Sequence, residues 1–168
     1  MSYQEKKIIV SILTGILVLG AYCSYAFSKV QSGVAAPDDM RFWATTMLIF
    51  IGIGVVAAII IQIVFHILLS ITLAVKEQVQ TGKVDDKEIE KTIELEMVED
   101  EMDKLIGLKS LRIGYAITGI GFIAALVSIV LNFSPAVMLN ILFASVSIGS
   151  MIEGIAQLYF YRSGVKNG

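Results

Sequence analysis

Apolar positions along this chain gather into four long runs instead of alternating with polar ones. The runs extend over residues 8–27, 42–75, 105–131 and 135–161. A hydrocarbon core of about 30 Å is crossed by about 20 apolar residues in a helix, so each run predicts a membrane span. The expected fold is all-α: a polytopic membrane protein of one domain over residues 1–168, with four transmembrane helices. A charged helical hairpin at 76–104 is expected between the second and third. The first run has a basic start at Lys6 and Lys7, as a signal peptide does, but it is too long and lacks a small-x-small cleavage site. It is expected to stay as a helix. The second run would be about 50 Å long at 1.5 Å per residue, so it must tilt or project from the bilayer. Asn132-Phe133-Ser134-Pro135 predicts a tight turn, with Pro135 suited to the first turn of the last helix.

Composition points the same way. Of 168 residues, 56% are hydrophobic and 17% charged, against about 25% charged in a soluble domain. Such a chain lacks the polar surface to cover itself in water. Cys23 is the one cysteine, which excludes an intramolecular disulfide and a cysteine-based metal centre within one chain. Inside the first run it is expected as a small buried residue.

Charge sets the direction of the spans. Lys6 and Lys7 precede span one; Lys76, Lys83, Lys87, Lys91, Lys104, Lys109 and Arg112 fall between spans two and three; Arg162 and Lys166 follow span four. These are eleven of the thirteen basic residues. The positive-inside rule then expects both termini and the central segment in the cytoplasm, with Lys29 and Arg41 opposite. Trp43, Tyr159 and Tyr161 are expected in the interfacial belts.

The segment from Lys76 to Lys104 holds eleven acidic and five basic residues. Thr81-Gly82 is a natural break, Asp85 or Asp86 could cap a helix, and Ile89, Ile93 and Met97 recur at helical spacing. The reading adopted is a solvated helix that prolongs span three and packs locally. The competing reading is an interaction surface for a cytoplasmic partner or a second copy. The acidic cluster Glu99-Asp100-Glu101 with Asp103 lacks the glycine-turned loop of a calcium site, and no metal or cofactor is expected.

The informative residues are the polar ones inside the spans, since an ionisable group in lipid is costly. Gln62 and His66 are four apart in span two, as are Glu153 and Gln157 in span four; Arg112 and Tyr115 lie in span three. Counting at 1.5 Å per residue from the opposite boundary sets Gln62, Arg112 and Glu153 each about 30 Å down. One polar layer is therefore expected. It would be either a site in which Glu153 and His66 exchange protons or bind a ligand, or a scaffold in which Arg112 pairs with Glu153. Small residues at four-residue spacing, Gly54 and Ala58, Gly121 and Ala125, Ser150 and Gly154, predict close helix approach.

The stretch Glu101-Met102-Asp103-Lys104-Leu105-Ile106-Gly107-Leu108-Lys109-Ser110-Leu111-Arg112 and the ending Gln157-Leu158-Tyr159-Phe160-Tyr161-Arg162-Ser163-Gly164-Val165 resemble a family of small four-span bacterial membrane proteins of unknown function. The likeness extends to Tyr3-Gln4-Glu5-Lys6-Lys7. It implies the same topology, a bacterial plasma membrane, and a recurrent set of Asp103, Lys109, Arg112, Gln157 and Arg162 at the cytoplasmic boundary. It implies no activity.

No phosphate-binding glycine loop, H-E-x-x-H, G-x-S-x-G or basic nucleic-acid stripe occurs in the sequence. The expected function is therefore a non-enzymatic accessory, regulatory or structural subunit in the lipid bilayer, acting with a partner or as a homo-oligomer. The alternative is a small proton-coupled transporter or channel using Glu153 and His66.

Overall fold

The computed structural model describes residues 3–36, 38–81 and 100–164. Among these, helix α1 covers Tyr3–Gln31, α2 Met40–Thr81, α3 Glu101–Val130 and α4 Pro135–Ser163, with no strand. All four are long and apolar enough to cross a membrane. No more than 17% of the most apolar stretch of any of them is buried within the chain. Side chains such as Leu17, Leu48 and Val130 face outward. Exposed apolar area of this extent would be heavily penalised in water and is satisfied by lipid. The chain is a multi-pass helical membrane protein.

Helix ends are set by local chemistry. The Gly33 N–H donates to Val30 O and the Val34 N–H to Lys29 O, with Gly33 at φ 70°. This double closure ends α1 in a left-handed residue, where glycine carries no Cβ penalty. Asn132 repeats it at φ 61°, its N–H bonded to Ile129 O and that of Phe133 to Ser128 O. Ser134 and Pro135 then open α4 at the cap and first position, the tight turn expected from sequence.

Helix α3 begins at Glu101, earlier than the predicted Leu105, because Asp100 caps it. The Asp103 N–H donates to Asp100 Oδ1 at 2.6 Å and the Asp100 N–H to Asp103 Oδ2 at 3.1 Å, a reciprocal capping box. The backbone of Asp100 is extended, so the acidic segment does not run unbroken into span three as expected. The predicted break after Thr81, the caps at Asp85 or Asp86 and the face of Ile89, Ile93 and Met97 lie outside the described residues. Helix α2 reaches Thr81 over 42 residues, about 63 Å of helix, so the long second run does overshoot a bilayer.

Asp103 has a second task. Its Oδ1 accepts a 2.6 Å hydrogen bond from the Tyr161 hydroxyl, fastening the start of α3 to the end of α4. Arg162 Nε lies 3.9 Å from Glu5 Oε1. The Arg162 side chain is exposed and Glu5 largely covered, and the contact shows that α1 starts where α4 ends. Both chain ends therefore share one face, called here the terminal face. Asp103→Ala removes a cap and a charge-assisted bond together and is expected to cost about 2 kcal/mol, against about 1 for Tyr161→Phe. Thermal unfolding of the detergent-purified variants measures both; equal losses would show that the cap contributes nothing.

Helices α3 and α4 form the closest pair; α1 lies against α4 and α2, while among the described residues α2 barely approaches α4 and its backbone does not approach that of α3. The lateral order is thus α2–α1–α4–α3. Gly114, Gly121 and Gly149 let the α3 and α4 backbones approach. A Cβ on Gly114 would sit 3.0 Å from Gly149 O, one on Gly149 would collide with Thr118 Oγ1, and one on Gly121 would collide with Ser145. The hydroxyls of Ser110, Thr118, Ser128 and Ser145 bond back to their own helix carbonyls, so they fill this seam as small residues with no polar atom left over.

A second core lies toward the opposite face, where α1, α2 and α4 meet. Tyr22, Ala26, Trp43, Met47 and Ala136 are buried there, with Leu19, Phe50 and Phe143 packed around them. The Tyr22 ring centroid lies 4.4 Å from that of Phe143 and 5.4 Å, edge-on, from that of Phe50. Its hydroxyl donates to Asn140 Oδ1 at 2.7 Å. Trp43, expected in the lipid belt, is only 5% exposed and donates through Nε1 to Ala36 O. The indole satisfies a loop carbonyl, which a lipid-facing ring could not. Tyr159 is exposed as the belt reading requires, but Tyr161 turns in to Asp103. Cys23, expected to be buried, is exposed, because Tyr22 beside it takes the inward direction and successive helix positions diverge by about 100°.

Candidate functional site

From the aromatic core toward the terminal face, the helices leave a cleft. Helix α2 holds to α1, where the Tyr3 and Phe65 rings meet at 5.1 Å, but it stands away from α3. The resulting cavity has a volume of about 1280 Å³ and is walled by all four helices. Typical small-molecule sites occupy roughly 300–1,000 Å³, so this space admits a sizeable ligand.

Four of the six residues expected in the polar layer line it: Gln62 and His66 from α2, Glu153 and Gln157 from α4. The other two do not. Arg112 is exposed and Tyr115 is 68% exposed, both outside the cleft. Arg112 stands two residues from each of Ser110 and Gly114, both buried, and two positions on a helix are about 200° apart. Its side chain therefore leaves on the face away from α4. Helical azimuth takes the expected partner away from Glu153. Among the described residues Glu153 has no ion pair, so the expected Arg112–Glu153 pairing is not formed.

Glu153 and His66 also differ in level. His66 follows Phe65, which meets Tyr3 at the very start of α1. Gly154 instead faces Ile8 and Ile12, one to two turns further along α1. Glu153 thus lies deeper than His66, about 12 Å below Tyr161 at 1.5 Å per residue. The two share one cleft but do not face each other for direct proton exchange. The polar groups descend its wall in steps instead of forming a single layer.

The α3 wall makes room for the deep groups. A Cβ on Gly114 would stand 3.0 Å from Glu153 Cβ and 3.2 Å from its Oε2, and one on Gly107 would stand 3.7 Å from Gln157 Nε2. Neither glycine was singled out from sequence, nor were Thr14 and Ser147, which also line the cleft. Their hydroxyls bond back to Val10 O and Phe143 O. By contrast, the side chains of Gln62, His66, Glu153 and Gln157 make no hydrogen bond to another described residue. An ionisable group held in lipid costs about 2.5–3.5 kcal/mol on insertion scales. Glu153 is the one carboxylate away from the helix ends among the described residues. It carries that cost without a protein counter-charge.

The boundary residues divide. Asp103 lines the rim while serving as cap and tyrosine acceptor. Arg162 lies on the outer side, close to Glu5. Lys109 is partly buried one turn further into α3 and does not line the cleft.

Comparison with known proteins gives no match: no family model, characterised protein or solved structure is similar to the chain.

Proposed function

We propose that this is a non-enzymatic protein of a bacterial plasma membrane that binds a ligand in the cleft and acts as an accessory or regulatory subunit. The observation that carries the reading is Glu153, a carboxylate deep in an apolar bundle that faces an open cleft with no protein counter-charge among the described residues. A purely structural carboxylate would be expected to close on a cation of its own chain. The excess of basic residues at the terminal face supports cytoplasmic termini and hence a cleft open to the cytoplasm. The sequence between α2 and α3, eleven acidic against five basic residues from Lys76 to Lys104, is the segment proposed to engage a protein partner.

Proton-coupled transport through the same cleft is the second reading. It is favoured by an acid of α4 and a histidine of α2 lining the same cleft. The packed core of Tyr22, Phe50 and Phe143 blocks a standing channel, so transport would require that core to part.

The orientation and the openness of the cleft are tested together. In a Cys23→Ser background, Ser150→Cys places a thiol on the cleft wall. A membrane-impermeant maleimide is expected to label it in inside-out vesicles and to leave it unlabelled in right-side-out ones. Labelling from neither side would mean a closed bundle and would end the ligand-binding reading.

A further inference from the structure

We propose that the cleft binds a hydrophobic organic cation, its charge beside the Glu153 carboxylate and its apolar groups against the aliphatic walls. This rests on the reading of the cleft as a ligand site and names the chemistry of the occupant.

The arrangement of charge selects the sign. Glu153 lines the cleft about two turns below Tyr161 at the rim. The lining cations are Lys7 of α1 and Lys104 of α3, and both are exposed at the terminal end of their helices. The long stems of such lysines carry the ammonium out to water. Asp103, the other lining carboxylate, is already engaged by Tyr161 and by its own capping box. When ionised, Glu153 is therefore a negative charge in the deep part of the space with no cation of a described residue in ion-pair reach. A neutral ligand would leave it uncompensated, and an anion would be repelled. Among the described residues no group of three or more His, Cys, Asp or Glu side chains is placed to hold a metal ion, and a hard cation takes about six to eight oxygen ligands.

The rest of the lining selects hydrophobicity. Ile8, Ile12, Leu108, Leu111 and Met151 face the space. The Glu153 carboxylate and Gln157 amide of α4 stand over Gly114 and Gly107 of α3, a polar strip beside these aliphatic side chains. Methionine beside branched aliphatics adapts to ligands of varied shape. Access fits as well: among the described residues the α2 and α3 backbones do not come together, so the cleft is open on that flank to a ligand already dissolved in the bilayer.

The test uses the purified full-length chain in a non-ionic detergent with two probes of nearly one shape, tetraphenylphosphonium and tetraphenylborate. Equilibrium dialysis is expected to show saturable binding of the phosphonium at one per chain and none of the borate. Glu153→Gln is expected to weaken phosphonium binding about tenfold or more, as loss of a charge-assisted contact implies, while Glu153→Asp retains it within a few-fold. Ser150→Trp, which fills the space without altering charge, should abolish it. Equal binding of both ions, or unchanged binding in Glu153→Gln, overturns the proposal. Failure of the two readings is separable: a Ser150→Cys thiol labelled from the aqueous side with no phosphonium bound refutes the cation alone, whereas an unlabelled thiol refutes the cleft itself.

Discussion

Gly114→Val and Gly149→Val will each lower the thermal stability of the purified protein sharply, and the double variant will fall little further than either one. The two glycines are reciprocal. A Cβ on Gly114 meets Gly149 O at 3.0 Å, and a Cβ on Gly149 meets Gly114 O at 2.9 Å. Both obstacles are backbone, so no rotamer change relieves them and the helices themselves must separate. Overpacking of this kind costs about 1–3 kcal/mol, and the branched valine on a shared backbone contact sets the expectation at the upper end. At roughly 2–4 °C per kcal/mol for a chain of this size, each single variant should lose on the order of 5–10 °C. Once the seam has opened for one side chain, the second finds its space already made, so the losses should be strongly non-additive. Melting followed by the fraction of monodisperse protein after heating measures this. Additive losses would mean that the two sites relax independently and that the seam is not a rigid contact.

The same seam shows what was legible in the sequence. Gly121 and Ala125 stood out by spacing and do face α4 or lie buried. The fuller pattern on α3, Gly107, Ser110, Gly114, Gly121, Ala125 and Ser128, advances in steps of three and four with one member missing. It was there to be read, but glycine and serine carry no apolar signal, and a hydropathy reading passes over them. Spans, turns and the long second helix were legible because bilayer thickness and the preferences of Asn, Pro and Gly act locally. The capping box at Asp100 was obscured because four acidic residues lie within five positions, and such a cluster reads as a solvated charge run.

The candidate site was legible as a set of polar residues within the spans and illegible in azimuth. Counting residues from the turn sets Glu153, Gln62 and Arg112 at one level whatever the packing. Which of them meet depends on helix rotation and on which helices are neighbours. In the order α2–α1–α4–α3, Glu153 shares a cleft with Gln62 while Arg112 leaves on the far side of α3. Hydrophobic periodicity could not fix that rotation, since large apolar side chains occur all round α3 and its inward face is built of small residues. The buried small residues identify the inward face better than the large apolar ones, which in this chain mark lipid.

Tyr22→Ala is expected to have the largest single effect on both stability and access. The ring is 3% exposed and sits between Phe50 and Phe143, so its removal leaves a cavity at the junction of three helices. Aromatic-to-alanine changes of this type cost about 3–5 kcal/mol, whereas Tyr22→Phe, which forfeits only the bond to Asn140, should cost about 1 kcal/mol. The consequence for access follows from Leu19, which packs on this core and also lines the deep end of the cleft. The aromatic cluster is therefore the partition between the cleft and the opposite face. With the ring gone, a thiol at Ser147→Cys, one turn from Phe143, should react with an impermeant maleimide in vesicles of either orientation, instead of in one orientation only. Tyr22→Phe keeps the partition and should keep labelling one-sided. If Tyr22→Ala lowers stability while labelling stays one-sided, the barrier lies elsewhere along the bundle. A transport cycle would then have no need to part these rings, and the case for an aromatic gate in this protein would be lost.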